Sequence, residues 1–184
     1  MKGVFSIKQI KKYHLWGIIF IVAFSSLMHF VFDLSGKSKI VGAIAPVNES
    51  LWEHLKMPLL PIMLWWIITY FILKRQINNL EKWILSGMIS SLITILFIAA
   101  FYYTYTGAFG IHSVVLDILS LIIGVILGQL VALKIYTDLE LKTYHYLIIY
   151  IIFFSFVFLF IIFTYKTPHL PLFKDQTTGS YGLN

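Results

Sequence analysis

Nine side chains that could bind a metal or move a proton lie near the ends of apolar segments, on what the basic residues mark as one side of a membrane: His29, His54, His112 and His169, with Asp33, Glu49, Glu53, Asp117 and Asp175. Imidazole nitrogens and carboxylate oxygens hold zinc and other divalent cations, and a spare carboxylate beside such an ion can serve as general base. The chain has no cysteine, which removes thiolate ligands, disulfides and thiol catalysis together. The candidate metal ligands are therefore His29, Asp33, His54, His112 and His169, and the candidate catalytic carboxylates are Glu49, Glu53 and Asp117. The cofactor they would take is zinc or another divalent metal.

Spacing supports the grouping. Ser25, His29 and Asp33 fall at i, i+4 and i+8, which stacks them on one face of a helix. In Asn48-Glu-Ser-Leu-Trp-Glu-His-Leu-Lys56, Asn48 is placed to cap a helix on which Glu49, Glu53, Ser50 and His54 share one broad face. Pro58 and Pro61 cannot donate to the carbonyls of His54 and Met57, so a kink is expected there, with the His54 carbonyl freed toward the same region. Asp117 lies within an apolar run, where a carboxylate costs about 2.5 to 3.5 kcal/mol on insertion scales and must be paired, protonated or functional. The tail from Thr167 to Asp175 is too rich in proline for helix and too apolar to float, and it is expected to fold back toward the cluster.

The elements that must position these groups are membrane spans. The chain has 184 residues, 59% hydrophobic and 12% charged, with mean hydropathy +0.87, which excludes a soluble domain with an ordinary polar surface. Five runs approach the length that crosses a bilayer: 15–32, 51–73, 83–105, 114–133 and 144–165. The fold expected is all-α, a single transmembrane helical bundle over 1–184 with an external tail at 166–184. The first run lacks a small-residue cleavage site and reads as a retained signal anchor. Placing the N-terminus inside leaves Lys2, Lys8, Lys11, Lys12, Lys74, Arg75, Lys82, Lys134 and Lys142 in the cytoplasm, and Lys37, Lys39, Lys56, Lys166 and Lys174 outside, which supports N-in, C-out.

The net charge of +6 is thus topological. The partners expected are membrane lipids, with no nucleic acid, since no base-reading or phosphate-binding motif is visible. Ser113, Asp117, Ser120, Gly124 and Gly128 make a small, polar stripe on the fourth span, and Ser86, Gly87, Ser90, Ser91 and Thr94 a similar patch on the third. The Gly124/Gly128 stripe reads as packing within the chain or, less favoured, as a homodimer face. Tyr102, Tyr103 and Tyr105 read as interfacial anchors, and the fifth span as largely lipid-facing.

Three stretches, HFVFDLSG (29–36), APVNESLWEHLKMPLLP (45–61) and PHLPLFKDQTTGSYG (168–182), together resemble a family of small bacterial polytopic membrane proteins known only as a domain of unknown function. The resemblance implies a multi-pass protein of the bacterial cytoplasmic membrane and brings no activity with it. More distantly, the site chemistry is similar to that of the intramembrane hydrolases related to progestin and adipoQ receptors and alkaline ceramidases, which hold zinc with Ser-x-x-x-His, a separate Asp and a later His-x-x-x-His. Ser25-x-x-x-His29 matches the first element and Asp33 or Asp117 the second. The His-x-x-x-His is absent and the spans are fewer, so the likeness is one of site chemistry and not of membership.

Three functions fit these residues. A metal-dependent hydrolase of a lipid or lipid-linked substrate accounts for the convergence of histidines and acids at one depth. An accessory or structural protein would use the same residues as a satisfied hydrogen-bond network. A proton- or cation-coupled transporter would titrate Asp117, His29 and Glu53, though the other half of the bundle shows no continuous polar path.

Overall fold

A computed structural model describes residues 2–183, with side chains from residue 7 onward. The ends of the 1–184 range, Met1 and Asn184, and the Lys2 side chain lie outside what it describes. The chain is helical throughout: α1 (Lys2–Leu34), α2 (Lys39–Gly42), α3 (Leu51–His54), α4 (Leu59–Leu73), α5 (Leu80–Phe109), α6 (Val114–Asp138) and α7 (Thr143–Tyr165), followed by a 3-10 turn at Pro171–Phe173. Five helical stretches are long and apolar enough to cross a membrane, α3 and α4 counting as one broken span. This is the expected all-α bundle of five spans.

Antiparallel packing gives the bundle two ends. At one, Trp83 on α5 donates to the Trp66 carbonyl of α4 at 2.8 Å, His14 of α1 meets both indoles edge-on, and Tyr136 of α6 abuts Trp83. Lys8, Lys11, Lys12, Lys74, Arg75, Lys82 and Lys134 belong to this end. At the other end α1 delivers His29, α3 delivers Glu53 and His54, α7 finishes at Thr164 and Tyr165, and the tail returns.

The small stripes on α5 and α6 pack against each other. A Cβ at Gly128 would stand 2.6 Å from the Ser90 carbonyl, and one at Gly124 would stand 3.2 Å from the Thr94 carbonyl. Thr94 Oγ1 donates to the Gly124 carbonyl at 3.1 Å, and Gln129 Nε2 to Ser90 Oγ at 3.0 Å. Glycine permits the approach, and the hydroxyls hydrogen-bond across it. The Gly124/Gly128 face is thereby covered by α5 of its own chain. Of the most apolar 18 residues of α7 only 17% are buried, as expected of a helix with no polar stripe.

Two expectations about the second span are corrected. The cap is Ser50, not Asn48: Ser50 is extended (φ −78°, ψ 151°) and its Oγ accepts from Glu53 N. Asn48 instead accepts from Ser50 N and donates to the Gly182 carbonyl of the tail. The helix therefore begins after Glu49, so Glu49 and Glu53 do not share a helical face. The proline break is also sharper than a kink, since α3 ends at His54 and α4 starts at Leu59. Pro58 cannot serve the His54 carbonyl, but Met57 N–H does, at 3.1 Å, so that carbonyl is not freed. Pro61 falls in the first turn of α4, where a backbone donor has no intrahelical partner to lose.

Candidate functional site

Two acids four residues apart, Glu49 and Glu53, are sent in opposite directions by the cap at Ser50. Glu53, in the first turn of α3, points inward and is 2% exposed. Its Oε2 meets Lys56 Nζ at 2.5 Å and accepts from Val47 N at 3.0 Å, while Oε1 accepts from Thr164 of α7 at 3.2 Å. Lys56 Nζ, equally buried, also donates to the Gly42 carbonyl and to Thr164 Oγ1, each at 2.9 Å. The ammonium thus has three acceptors for its three protons; the carboxylate has two donors on Oε2, and Oε1 shares the single Thr164 hydroxyl proton with the Phe160 carbonyl, which lies at 2.8 Å. This closed set ties α2, α3 and α7 together and leaves Glu53 no free lone pair facing solvent.

Glu49 lies in the bend before α3 and turns outward. Its Oε1 lies 3.5 Å from His29 Nε2 and its Oε2 lies 3.3 Å from His54 Nε2, with all three side chains a third to two-fifths exposed. The two imidazoles stack with centroids 5.5 Å apart and planes 19° from parallel. One ligand atom from each of His29, Glu49 and His54 lies within 4.8 Å of the others, and this is the group among the described residues with that property.

The tautomer of His54 sharpens the chemistry. Nδ1 is 2.9 Å from the Ser50 carbonyl, which can only accept, so Nδ1 carries a proton. A neutral ring then aims the Nε2 lone pair at the Glu49 carboxylate, placing two acceptors 3.3 Å apart. Something positive must lie between them, either a proton on Nε2 or a shared cation. With the proton on Nε2, the hydrogen bond from His54 holds the Glu49 carboxyl below the usual 4.5, with partial burial opposing and the charge of both imidazoles adding.

The tail holds the loop that carries Glu49. Asp175, 5% exposed, accepts from Thr177 N and Oγ1 and from Thr178 N through Oδ1, closing its own turn. Its Oδ2 accepts from Glu49 N at 3.2 Å. Burial would raise this carboxyl, but the hydrogen bonds from Thr178, Thr177 and Glu49 outweigh it and bring it down to about 2. Phe173 packs against Trp52 of α3 with ring centroids 5.0 Å apart and planes tilted by 46°, anchoring the fold-back.

The remaining expected ligands stand apart from this trio. His112 is exposed and pairs with Tyr102 through Nδ1 at 3.1 Å. His169 is exposed and packs against Tyr181 of the tail, ring centroids 4.6 Å apart and planes tilted by 31°. Asp33 is exposed at the end of α1. Asp117 sits in the first turn of α6, where the helix dipole favours a carboxylate. There it accepts from Tyr105 Oη at 2.7 Å and is close enough to His54 for its charge to be felt. Tyr105 is 4% exposed, so Tyr102 and Tyr105 act as hydrogen-bond partners and not as interfacial anchors alone. Ser25, one turn below His29, is completely buried with no partner for its Oγ among the described residues.

Lys56 and Thr164 are the residues that sequence reasoning missed. Lys56 was counted among external cations, although its i, i+3 spacing from Glu53 was a signal; Thr164 gave none, since only the fold brings α7 to α3.

The fold and site define a multi-pass helical protein of membrane type with a His/Glu/His cluster at the end of the bundle covered by its tail. The chain belongs to the family of unknown function DUF6512, whose model matches residues 3–183. No curated protein and no solved structure matches it.

Proposed function

We propose that this protein is a metal-dependent hydrolase of a lipid or lipid-linked substrate, with a divalent cation, zinc by ligand type, held by His29, Glu49 and His54. The observation that carries the reading is the His54 geometry. A backbone carbonyl fixes one nitrogen as donor, and the other faces a carboxylate at 3.3 Å. A backbone carbonyl on the distal nitrogen is the usual support of a zinc-bound histidine. His54 Nε2 and His29 Nε2 lie 3.3 and 3.5 Å from the two different oxygens of Glu49, against about 3.3 to 3.4 Å between ligand atoms on tetrahedral bonds of about 2.0 to 2.1 Å. Charge-assisted hydrogen bonds are shorter, about 2.7 to 2.9 Å.

Two histidines and one glutamate make three protein ligands, the number that leaves a fourth position for water and substrate in catalytic zinc sites. The metal would lower the pKa of that water and polarise the scissile carbonyl or phosphoryl group. With Glu49 as ligand and Glu53 closed in its ion pair, Asp117 is the carboxylate left to accept the proton. Partial exposure at the end of the spans favours a substrate that approaches from the bilayer. His112, His169 and Asp33 would join only through a movement of α6, of the tail or of the end of α1.

The test is hydrolysis of membrane lipids by metal-loaded protein beside Asp117→Asn and His54→Ala. Activity lost in both, with metal kept in Asp117→Asn and lost in His54→Ala, is expected. Full activity in His54→Ala would overturn the reading. A satisfied structural network has its own support in Glu53, Lys56 and Thr164, but among the described residues no side-chain hydrogen bond or ion pair joins that set to the trio.

A further inference from the structure

The helices that carry the cluster also set its depth. His29 lies 17 residues beyond Lys12 in α1, and Asp117 lies 17 residues before Lys134 in α6. At about 1.5 Å per residue, each stands about 25 Å along its helix from a lysine at the basic end. Two helices of opposite direction thus give one depth. In a bilayer the hydrocarbon core is about 30 Å thick, and lysine stems reach out of it to water, so the backbones of Lys12 and Lys134 stand just inside one edge. His29 and Asp117 then fall at the other edge, where the acyl carbonyl groups of the far leaflet lie. Phosphates lie further out, in the headgroup layer.

The side chains around the cluster are graded along the same axis. At and below its level, Leu27 and Phe30 of α1 are both 57% exposed, and Ile118 and Leu119 of α6 are 51% and 41% exposed. Phe30 meets His29 edge-on at 5.2 Å. Beyond it, Asp33 in the last turn of α1 and Lys37 in the turn that follows are exposed. Apolar surface inward and charge outward suit a lipid whose chains lie along α1 and α6 and whose linkage groups reach His29, Glu49 and His54.

Resting on the hydrolase reading, we propose that the bond cleaved is the carboxylic ester joining an acyl chain to its lipid, and not a phosphodiester of the headgroup. Water adds to the acyl carbon, the bond from that carbon to the alkoxy oxygen breaks, and the proton accepted by Asp117 passes to the departing oxygen, giving a fatty acid and a lysolipid. An acyl carbonyl lies at the level of the trio, whereas a phosphate would have to sink below its own layer.

Zinc-loaded full-length protein is incubated with vesicles of phosphatidylglycerol, and the products are separated by mass spectrometry. Fatty acid with lysophosphatidylglycerol is expected, in at least about hundredfold excess over products of phosphodiester cleavage, since misplacing a reacting group by about 1 Å can cost that much. Diacylglycerol or phosphatidic acid as the main product would overturn the proposal and keep the hydrolase; no product of either kind would overturn both. Depth is read without activity. The chain has no cysteine, so Phe30→Cys and Ile118→Cys each take a single fluorophore, quenched by phosphatidylcholine that bears a nitroxide on its headgroup, near the top of a chain or at the chain end. Strongest quenching from the top of the chain is expected at both positions. Strongest quenching from the headgroup or from the chain end, at either position, would overturn the placement on which the ester assignment stands.

Discussion

Glu53 with Lys56, and Glu49 with His29 and His54, are two polar groups whose members, His29 of α1 apart, come from residues 49–56, and they differ in whether their valences close. Glu53 and Lys56 are buried at 2% exposure, with donors and acceptors matched through Thr164, Gly42 and Val47. Glu49, His29 and His54 are partly exposed, and two acceptors face each other unless a proton or a cation intervenes. Charged groups at a membrane interface are therefore not one class. A closed set locks helices together, whereas an open one has capacity left for a ligand.

The largest expected effect breaks the closed set. Lys56→Met leaves the Glu53 carboxylate buried and unpaired, which should cost about 3 to 5 kcal/mol, whereas Lys56→Met with Glu53→Gln should recover most of the loss. Thermal unfolding in detergent reads both. Equal destabilisation by the single and double variants would show that the pair is not the lock described here. By contrast, Glu49→Gln should change the unfolding temperature little and reduce zinc affinity by at least about a hundredfold, because it removes one of three ligands.

Next comes the tail. Asp175→Asn weakens the acceptor that holds Glu49 N, and zinc affinity should fall by about tenfold, the lower end of what outer partners of a metal site contribute. Isothermal titration would show it. An unchanged affinity would mean that the loop keeps Glu49 in place without the tail.

The smallest effects concern pH. Glu49 and Asp175 both have folded-state pKa values below their ordinary 4.5 and 3.8. Each therefore contributes stability that is present above those ordinary values and lost as pH falls through the folded ones. For Asp175 the window runs from about 4 down to about 2, so Asp175→Asn should flatten the acid limb of a stability–pH curve. Zinc affinity should move at higher pH, rising as the histidines lose their protons. An acid limb identical in the wild type and Asp175→Asn would contradict the assignment.

The spans were legible because a run of apolar residues leaves few alternatives, and α1 to α7 realise all five. His29 and His54 were legible as candidates from their places at span ends. What the chain could not announce was the direction of each acid. A cap two residues later, Ser50 for Asn48, takes Glu49 off the helix and separates it from Glu53. Lys56 looked like a loop cation because its neutralisation depends on Gly42 and Thr164, which are distant in sequence. His112 and His169 looked like ligands because depth along a span says nothing about which helices are neighbours.

The most direct test is metal content by mass spectrometry on protein purified without chelator or nickel affinity, then offered zinc and rebuffered. The account requires about one equivalent per chain in the wild type and in Lys56→Met with Glu53→Gln, and a near-total loss in Glu49→Gln and His54→Ala. A folded wild-type protein that retains no metal would contradict it and leave Glu49 and His54 as a proton-bridged pair.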